Sequence, residues 1–182
     1  IHGALLDLGL AFSDIGETIG VTKLYATRVG SGAFPTEFLD DNLRNIVQGR
    51  GKEFGATTGR ARRCGWLDLP SLKLVAKVNN VTSFALTKVD VLDTLPSIEI
   101  CDTYISGKTN EHIPFYPGSD EYLRDVIPQY KKFDGWMCAT AGITAAEKLP
   151  EKMLAMLHFI EQETNVPIQY VSTGAERNEL VK

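Results

Sequence analysis

The residues with the most chemical potential in this sequence lie in "GATTGRARR", Gly55 to Arg63, where Arg60, Arg62 and Arg63 crowd behind Thr57 and Thr58 between glycines. The chain carries a formal net charge of -4, so this cluster runs against the overall balance. Arginines this close repel by only about half a kcal/mol per pair at ~7–8 Å in water, which is tolerable without a function. Two readings stand: a solvated basic loop facing surface carboxylates, or a site for anions. The second has a definite chemistry. Glycines let the backbone approach a ligand, Thr57 and Thr58 supply hydroxyls, and consecutive amides form an anion-binding concavity. Arg60 and Arg62 can each grip a carboxylate or phosphate through two parallel hydrogen bonds. Two residues apart on an extended loop, they point the same way. Arg63 is expected to point elsewhere.

A second candidate is "LTKVD", Leu86 to Asp90. An ionised Asp only accepts hydrogen bonds; guanine offers two adjacent donors, whereas adenine presents an acceptor at the equivalent ring nitrogen. Asp90 could receive the guanine edge while the Lys88 stem lies across the base and its ammonium reaches ribose or phosphate. A Lys-x-Asp triplet is common by chance, so an exposed loop after a strand is the competing reading. "STGAER", Ser172 to Arg177, could close over a sugar or base, or be a terminal loop. "SGKTN" resembles the tail of a phosphate-binding loop, but Asp102 stands where that motif needs glycine, and a hairpin turn is expected instead. His158 is read as structural. No Ser-His-Asp order or catalytic carboxylate pair is present.

The elements that must position these residues alternate between strands and helices. "VTKLYATRV", Val21 to Val29, reads as a strand ending at Gly30 and Gly32. Leu39, Leu43, Ile46 and Val47 recur at helical spacing, with Gly49 placed to stop the helix. The basic motif then falls in a loop before "WLDL". Pro70 and Ser71 start a second helix burying Leu72, Val75 and Ala76. "SFALT", Ser83 to Thr87, is a short buried strand, and "SIEICDTYIS" with "EHIPF" forms a hairpin turning at "SGKTN". A third helix spans about Pro150 to Thr164 and leads into the strand "PIQYVS". The expected fold is α/β, with a mixed, mostly parallel sheet, flanking helices and an antiparallel hairpin. Two polar loops leave strand C-termini, the edge at which open α/β sheets bind ligands. "SFALT" and "PIQYVS" are expected to leave open edges unless neighbours cover them.

Composition sets limits on class. The 182 residues are 43% hydrophobic and 23% charged, which suits one globular domain without a metal or disulfide staple. Mild acidity argues against a non-specific nucleic-acid binder. Cys64, Cys101 and Cys138 are scattered, as are His2, His112 and His158, so neither a disulfide framework nor a zinc site is expected, and a reducing cytoplasm fits. No apolar run reaches membrane-span length. The start at Ile1 suggests a processed chain or a fragment.

Taken in order, "VTKLYATRVGSGAFPTE", "EFGATTGRARRCGWLDL", "LTKVDVLD" and "PIQYVSTG" closely resemble the C-terminal part of adenylosuccinate synthetases. The likeness is strong from Val21 to Asp93 and from Pro167 to Arg177, and looser between Thr94 and Val166. It implies that residues 1–182 belong, with no internal boundary, to a larger single-domain P-loop-like α/β enzyme. That family joins L-aspartate to IMP at the expense of GTP, giving adenylosuccinate, GDP and phosphate with the help of Mg²⁺. The γ-phosphoryl group moves to the 6-oxygen of IMP, and the aspartate amine displaces it.

By the same resemblance, Ala56, Thr57, Thr58, Gly59, Arg60, Ala61 and Arg62 form the aspartate-binding loop. Arg60 and Val29 face IMP. Arg62, Lys88, Val89, Asp90, Ser172, Thr173 and Gly174 receive GTP. Ala175 stands where the family usually has proline. The family's glycine-rich Gly-Asp-Glu-Gly-Lys-Gly-Lys loop and catalytic histidine are not in this sequence, and His2 has no motif to replace the latter. No catalytic residue or metal ligand is therefore assigned here, and the Mg²⁺ ligands are expected in the absent N-terminal part. The isolated chain is expected to be inactive, and the full-length enzyme to be a homodimer that binds neither nucleic acid nor membrane. The alternative is a stand-alone, non-catalytic guanine-nucleotide-binding module.

Overall fold

The computed structural model describes residues 2–182. The sequence readings of Ile1 and of the His2 side chain lie outside the described residues, as does the side chain of Phe12. After α1 (His2–Leu8) comes β1 (Ile19–Lys23), then β2 (Tyr25–Arg28). The single strand expected over Val21 to Val29 is thus divided at Leu24. The reason is a change of partner: β1 pairs in parallel with β4 (Ser83–Thr87), whereas β2 pairs antiparallel with β3 (Arg63–Asp68). Leu24 is buried at the crossing, and its amide donates to the Thr87 carbonyl at 3.0 Å.

Helix α2 (Asp41–Gly51) starts at Asp40, whose carboxylate accepts from the amides of Asn42 and Leu43 at 2.7 and 3.1 Å. It runs past Gly49 and ends at Lys52, which takes the left-handed conformation (φ 50°) and closes the helix with its own amide. Gly49 therefore lies inside the helix rather than ending it. Of the apolar residues expected on the buried face, Val47 is fully buried, but Leu39 (before the cap) and Ile46 are exposed. Helix α3 (Leu69–Val78) is capped by Asp68, which accepts from the Ser71 amide, and Pro70 sits in its first turn as expected. Leu72 and Ala76 are buried; Val75 faces outward.

The sequence continues through β5 (Ser97–Ser106), β6 (His112–Ile113), α4 (Asp120–Asp125), β7 (Val126–Asp134), α5 (Glu151–Thr164), β8 (Ile168–Ser172) and β9 (Leu180–Val181). Four strands form one sheet in the order β1-β4-β8-β9, parallel except for the last pair. This is the mixed, mostly parallel sheet that the sequence implies. A second sheet holds β2, β3, β5, β6 and β7, and is mainly antiparallel. The hairpin expected at "SGKTN" is the β5–β6 turn: the Ser106 hydroxyl accepts from the amides of Lys108 and Thr109 at 3.3 and 3.1 Å. It is no phosphate loop.

One core is shared by the sheets, with Leu24, Trp66, Phe84, Leu86, Ile98 and Met156 among its members. "SFALT" and "PIQYVS" are both interior strands, because β1 and β9 take the outer positions. The expectation of open edges there is corrected: the edges lie one strand further out. Among the described residues no helix is long and apolar enough to cross a membrane.

Candidate ligand-binding site

The basic loop hangs between the end of α2 and the start of β3. Its stem is closed by Arg62 donating to the Glu53 carbonyl at 2.9 Å and by Gly55 donating to the Arg60 carbonyl at 2.9 Å. Gly59 turns the tip with φ 65°, a conformation that a Cβ would strain. Among the described residues, the amides of Ala56, Thr57 and Thr58 have no backbone acceptor, and all three residues are exposed. Donors are therefore left for a ligand.

Below the loop lies a cavity of about 230 Å³ lined by Arg28, Val29, Thr58, Arg60 and Arg62, with Ala61 and Arg63 at its wall. Arg60 and Arg62 both border this space, as do Ala61 and Arg63 between and after them. Their states differ. Arg60 is exposed and makes no side-chain hydrogen bond or ion pair among the described residues. Arg62 donates from Nη1 to Glu53 Oε2 at 2.9 Å. Arg63 is occupied elsewhere, as anticipated: it pairs with Glu37 and donates to the carbonyls of Gly30 and Gly32 at 3.2 and 2.7 Å. Those bonds fix the segment after Val29, whose side chain is left 80% exposed.

Glu53 was not singled out by the sequence, yet it organises this corner. Its side chain is 1% exposed and takes three donors: Lys23 Nζ at 2.7 Å, Tyr25 Oη at 2.6 Å and Arg62 Nη1 at 2.9 Å. Burial alone would raise its pKa, but the hydrogen bonds from Lys23, Tyr25 and Arg62 outweigh burial and hold it below the usual carboxylate value. The one signal in the sequence is an acid directly ahead of a cationic glycine-rich run.

The parallel alignment of β1, β4 and β8 brings three chain exits to one sheet edge, with Lys23 opposite Thr87 and Leu86 opposite Val171. Lys88 to Asp90 leave β4 there, and Ser172 to Gly174 leave β8 beside them. Lys88 is left-handed (φ 65°) and starts a 3₁₀ turn over Val89–Leu92. Its ammonium donates to the Gly51 carbonyl at 3.2 Å, rather than standing free for ribose or phosphate. Val89 is fully buried, main chain included, and anchors the turn rather than presenting a surface. Asp90 is half-buried; desolvation, with a smaller contribution from Asp93, raises its pKa, while Lys88 and Arg50 pull the other way.

In the third loop the Ser172 hydroxyl donates to the Gly174 carbonyl at 2.9 Å, and the buried Thr173 hydroxyl donates to the Ile143 carbonyl at 2.8 Å. A Cβ on Gly174 would collide with the Glu179 carboxylate, which accepts from the Glu176 amide. The loop with Ala175 is thus held by Glu179. His158, by contrast, lies exposed on α5 with Gln162 and Glu161 as neighbours on the same helix. Among the described residues no three His, Cys, Asp or Glu side chains gather as metal ligands.

Comparison with known proteins gives a consistent likeness. Residues 1–181 match the family described as adenylosuccinate synthetase. The adenylosuccinate synthetase of Thermodesulfovibrio yellowstonii is 44% identical over 179 residues, covering 98% of this chain and 41% of the relative. That of Caenorhabditis briggsae is 44% identical over 182 residues, covering 100% and 41%. The structure of fully ligated adenylosuccinate synthetase from Plasmodium falciparum superposes with a TM-score of 0.94 at 34% identity, covering 100% of this chain and 43% of that one. The chain therefore spans about two fifths of the length of these relatives.

Proposed function

Because the chain belongs to the adenylosuccinate synthetase family, we propose that it is the C-terminal, ligand-binding part of an enzyme that uses GTP to join L-aspartate to IMP. The products are adenylosuccinate, GDP and phosphate. Residues 1–182 act as one undivided part of that enzyme's domain. In this reading the loop Ala56 to Arg62 receives aspartate, Arg60 and Val29 border IMP, and Arg62 with Lys88, Val89, Asp90 and Ser172 to Gly174 holds GTP. The whole enzyme is a cytoplasmic homodimer, and three free thiols suit that compartment.

The observation that carries the reading is the meeting of Val29, Arg60 and Arg62 at one cavity, under a loop with unpaired amides. Arg60 has its full donor set available for a carboxylate. Arg62, already anchored on Glu53, keeps its remaining donors in a fixed direction, which suits a phosphate better than a mobile side chain would. Phosphoryl transfer depends mostly on positioning and on stabilising charge. The residues here can hold and orient anions, and in this reading the isolated chain binds ligands without turnover.

The test uses the full-length protein carrying this chain. Arg60→Leu removes a charge-assisted contact to the substrate carboxylate, so KM for aspartate should rise about 10–100-fold, with KM for GTP changed far less. An unchanged KM for aspartate sinks the assignment.

A further inference from the structure

The guanidinium of Arg50, in the last turn of α2, reaches across to the 3₁₀ turn that follows β4. Its Nε donates to the Val91 carbonyl at 2.9 Å and its Nη2 to the Asp90 carbonyl at 2.6 Å. The same Nη2 lies 3.9 Å from the Asp93 carboxylate. In the opposite direction, Lys88 donates from the turn to the Gly51 carbonyl at the helix end. Helix end and turn are thus strapped together twice, once from each side.

The far side of the turn is fixed separately. Asp93 is buried and accepts from Trp136 Nε1 at 2.7 Å, and from the amide and hydroxyl of Thr140 at 2.8 Å each. Val89, Val91 and Leu92 anchor the turn in the core. Asp90 is the exception, half-exposed at the outer corner. Its carboxylate hangs from the Cα between peptide units 89–90 and 90–91; Arg50 holds the second of these through the Asp90 carbonyl, and the next unit, 91–92, through the Val91 carbonyl. Arg50 also places a positive charge beside two carboxylates that would otherwise repel each other.

We propose that Arg50 is the positioning residue for base selectivity, fixing the Asp90 peptide so that its carboxylate meets the two donors of a guanine edge. This rests on the reading of Lys88 to Asp90 as the guanine site. Both of the donors that Arg50 uses here, Nε and Nη2, point to main-chain carbonyls. A lysine there could reach one carbonyl at a time, whereas the guanidinium fork spans two.

The experiment measures GTP and ATP affinities by competition with a fluorescent guanine nucleotide, on the full-length protein carrying this chain. Wild type is compared with Arg50→Gln, Arg50→Lys and Asp90→Asn. Arg50→Gln should lower the GTP-over-ATP ratio about 10-fold, the equivalent of one charge-assisted hydrogen bond, while ATP affinity stays within about twofold. Arg50→Lys should restore part of the ratio. Equal weakening of both nucleotides in Arg50→Gln overturns the inference, because a merely structural role would act that way. If Asp90→Asn lowers the ratio and Arg50→Gln leaves it intact, the inference fails and the guanine reading survives. If Asp90→Asn leaves it intact, both fall. Should Arg50→Gln not fold, Arg50→Lys decides alone, and a wild-type ratio there counts against the proposal.

Discussion

Replacing Glu53 by Gln keeps the shape of the side chain and removes its charge, which isolates what the carboxylate does beneath the basic loop. The wild-type group accepts from two cations and one phenol. A glutamine can keep its oxygen toward Lys23 and Tyr25, but its amide nitrogen then faces Arg62 Nη1, donor against donor, at a separation of 2.9 Å in the wild type. Turning the amide over moves the conflict to Lys23. Breaking a fully buried ion pair costs about 3–5 kcal/mol. Here Arg62 and Lys23 are 35% and 27% exposed and can recover hydration, so about 2 kcal/mol is the better expectation. For a chain of this size that corresponds to a Tm lower by roughly 4–8 °C.

The pH dependence gives a second check. The folded-state pKa of Glu53 lies below the usual 4.5, so its stabilisation is fully present above the unfolded value and is lost as pH falls through the folded one. Thermal melts of wild type and Glu53→Gln should therefore differ at pH 7 and converge progressively below about pH 4.5, the ordinary carboxylate value. A difference under about 0.5 kcal/mol at pH 7 would place the carboxylate among surface-like pairs and refute the reasoning.

Gly59→Ala should cost about 1 kcal/mol, since the tip of the basic loop needs positive φ; a melt within error of wild type would mean that the loop takes another path. Cysteine reactivity should separate by burial: Cys138 is exposed, whereas Cys64 and Cys101 are buried and desolvation pushes the Cys64 thiol up to about 11. A thiol reagent should titrate Cys138 in the native chain at neutral pH and all three cysteines after denaturation. Rapid labelling of Cys64 or Cys101 in the native chain would contradict that packing.

Much of this arrangement can be read in the sequence wherever one local signal governs. The apolar spacing of Met153, Leu157 and Ile160 after Pro150 marks α5, and all three of those residues are buried. "SFALT" matches β4 residue for residue. Strand β7 escaped because "VIPQYKKFD" contains proline and charges, which argue against a central strand. It pairs with β5 alone and sits at an edge, where both are tolerated. The end of α2 was misplaced because Lys52, not a glycine, adopts the left-handed cap. Glu53 and Arg50 were unreadable for a different reason. Their roles are set by partners from 9 to 43 positions away, brought together only when the sheets close on α2.

The pivot at Leu24 has a mechanical consequence. Strand β1 belongs to one sheet and β2 to the other, yet a single residue separates them. With Leu24 buried in the common core, neither sheet has slack through which to open alone. Loss of one sheet pulls on the other through an almost inextensible tether. Amide exchange at the centres of β3 and β4, one strand from each sheet, should accordingly be limited by the same global opening event, and both sheets should melt as one cooperative unit.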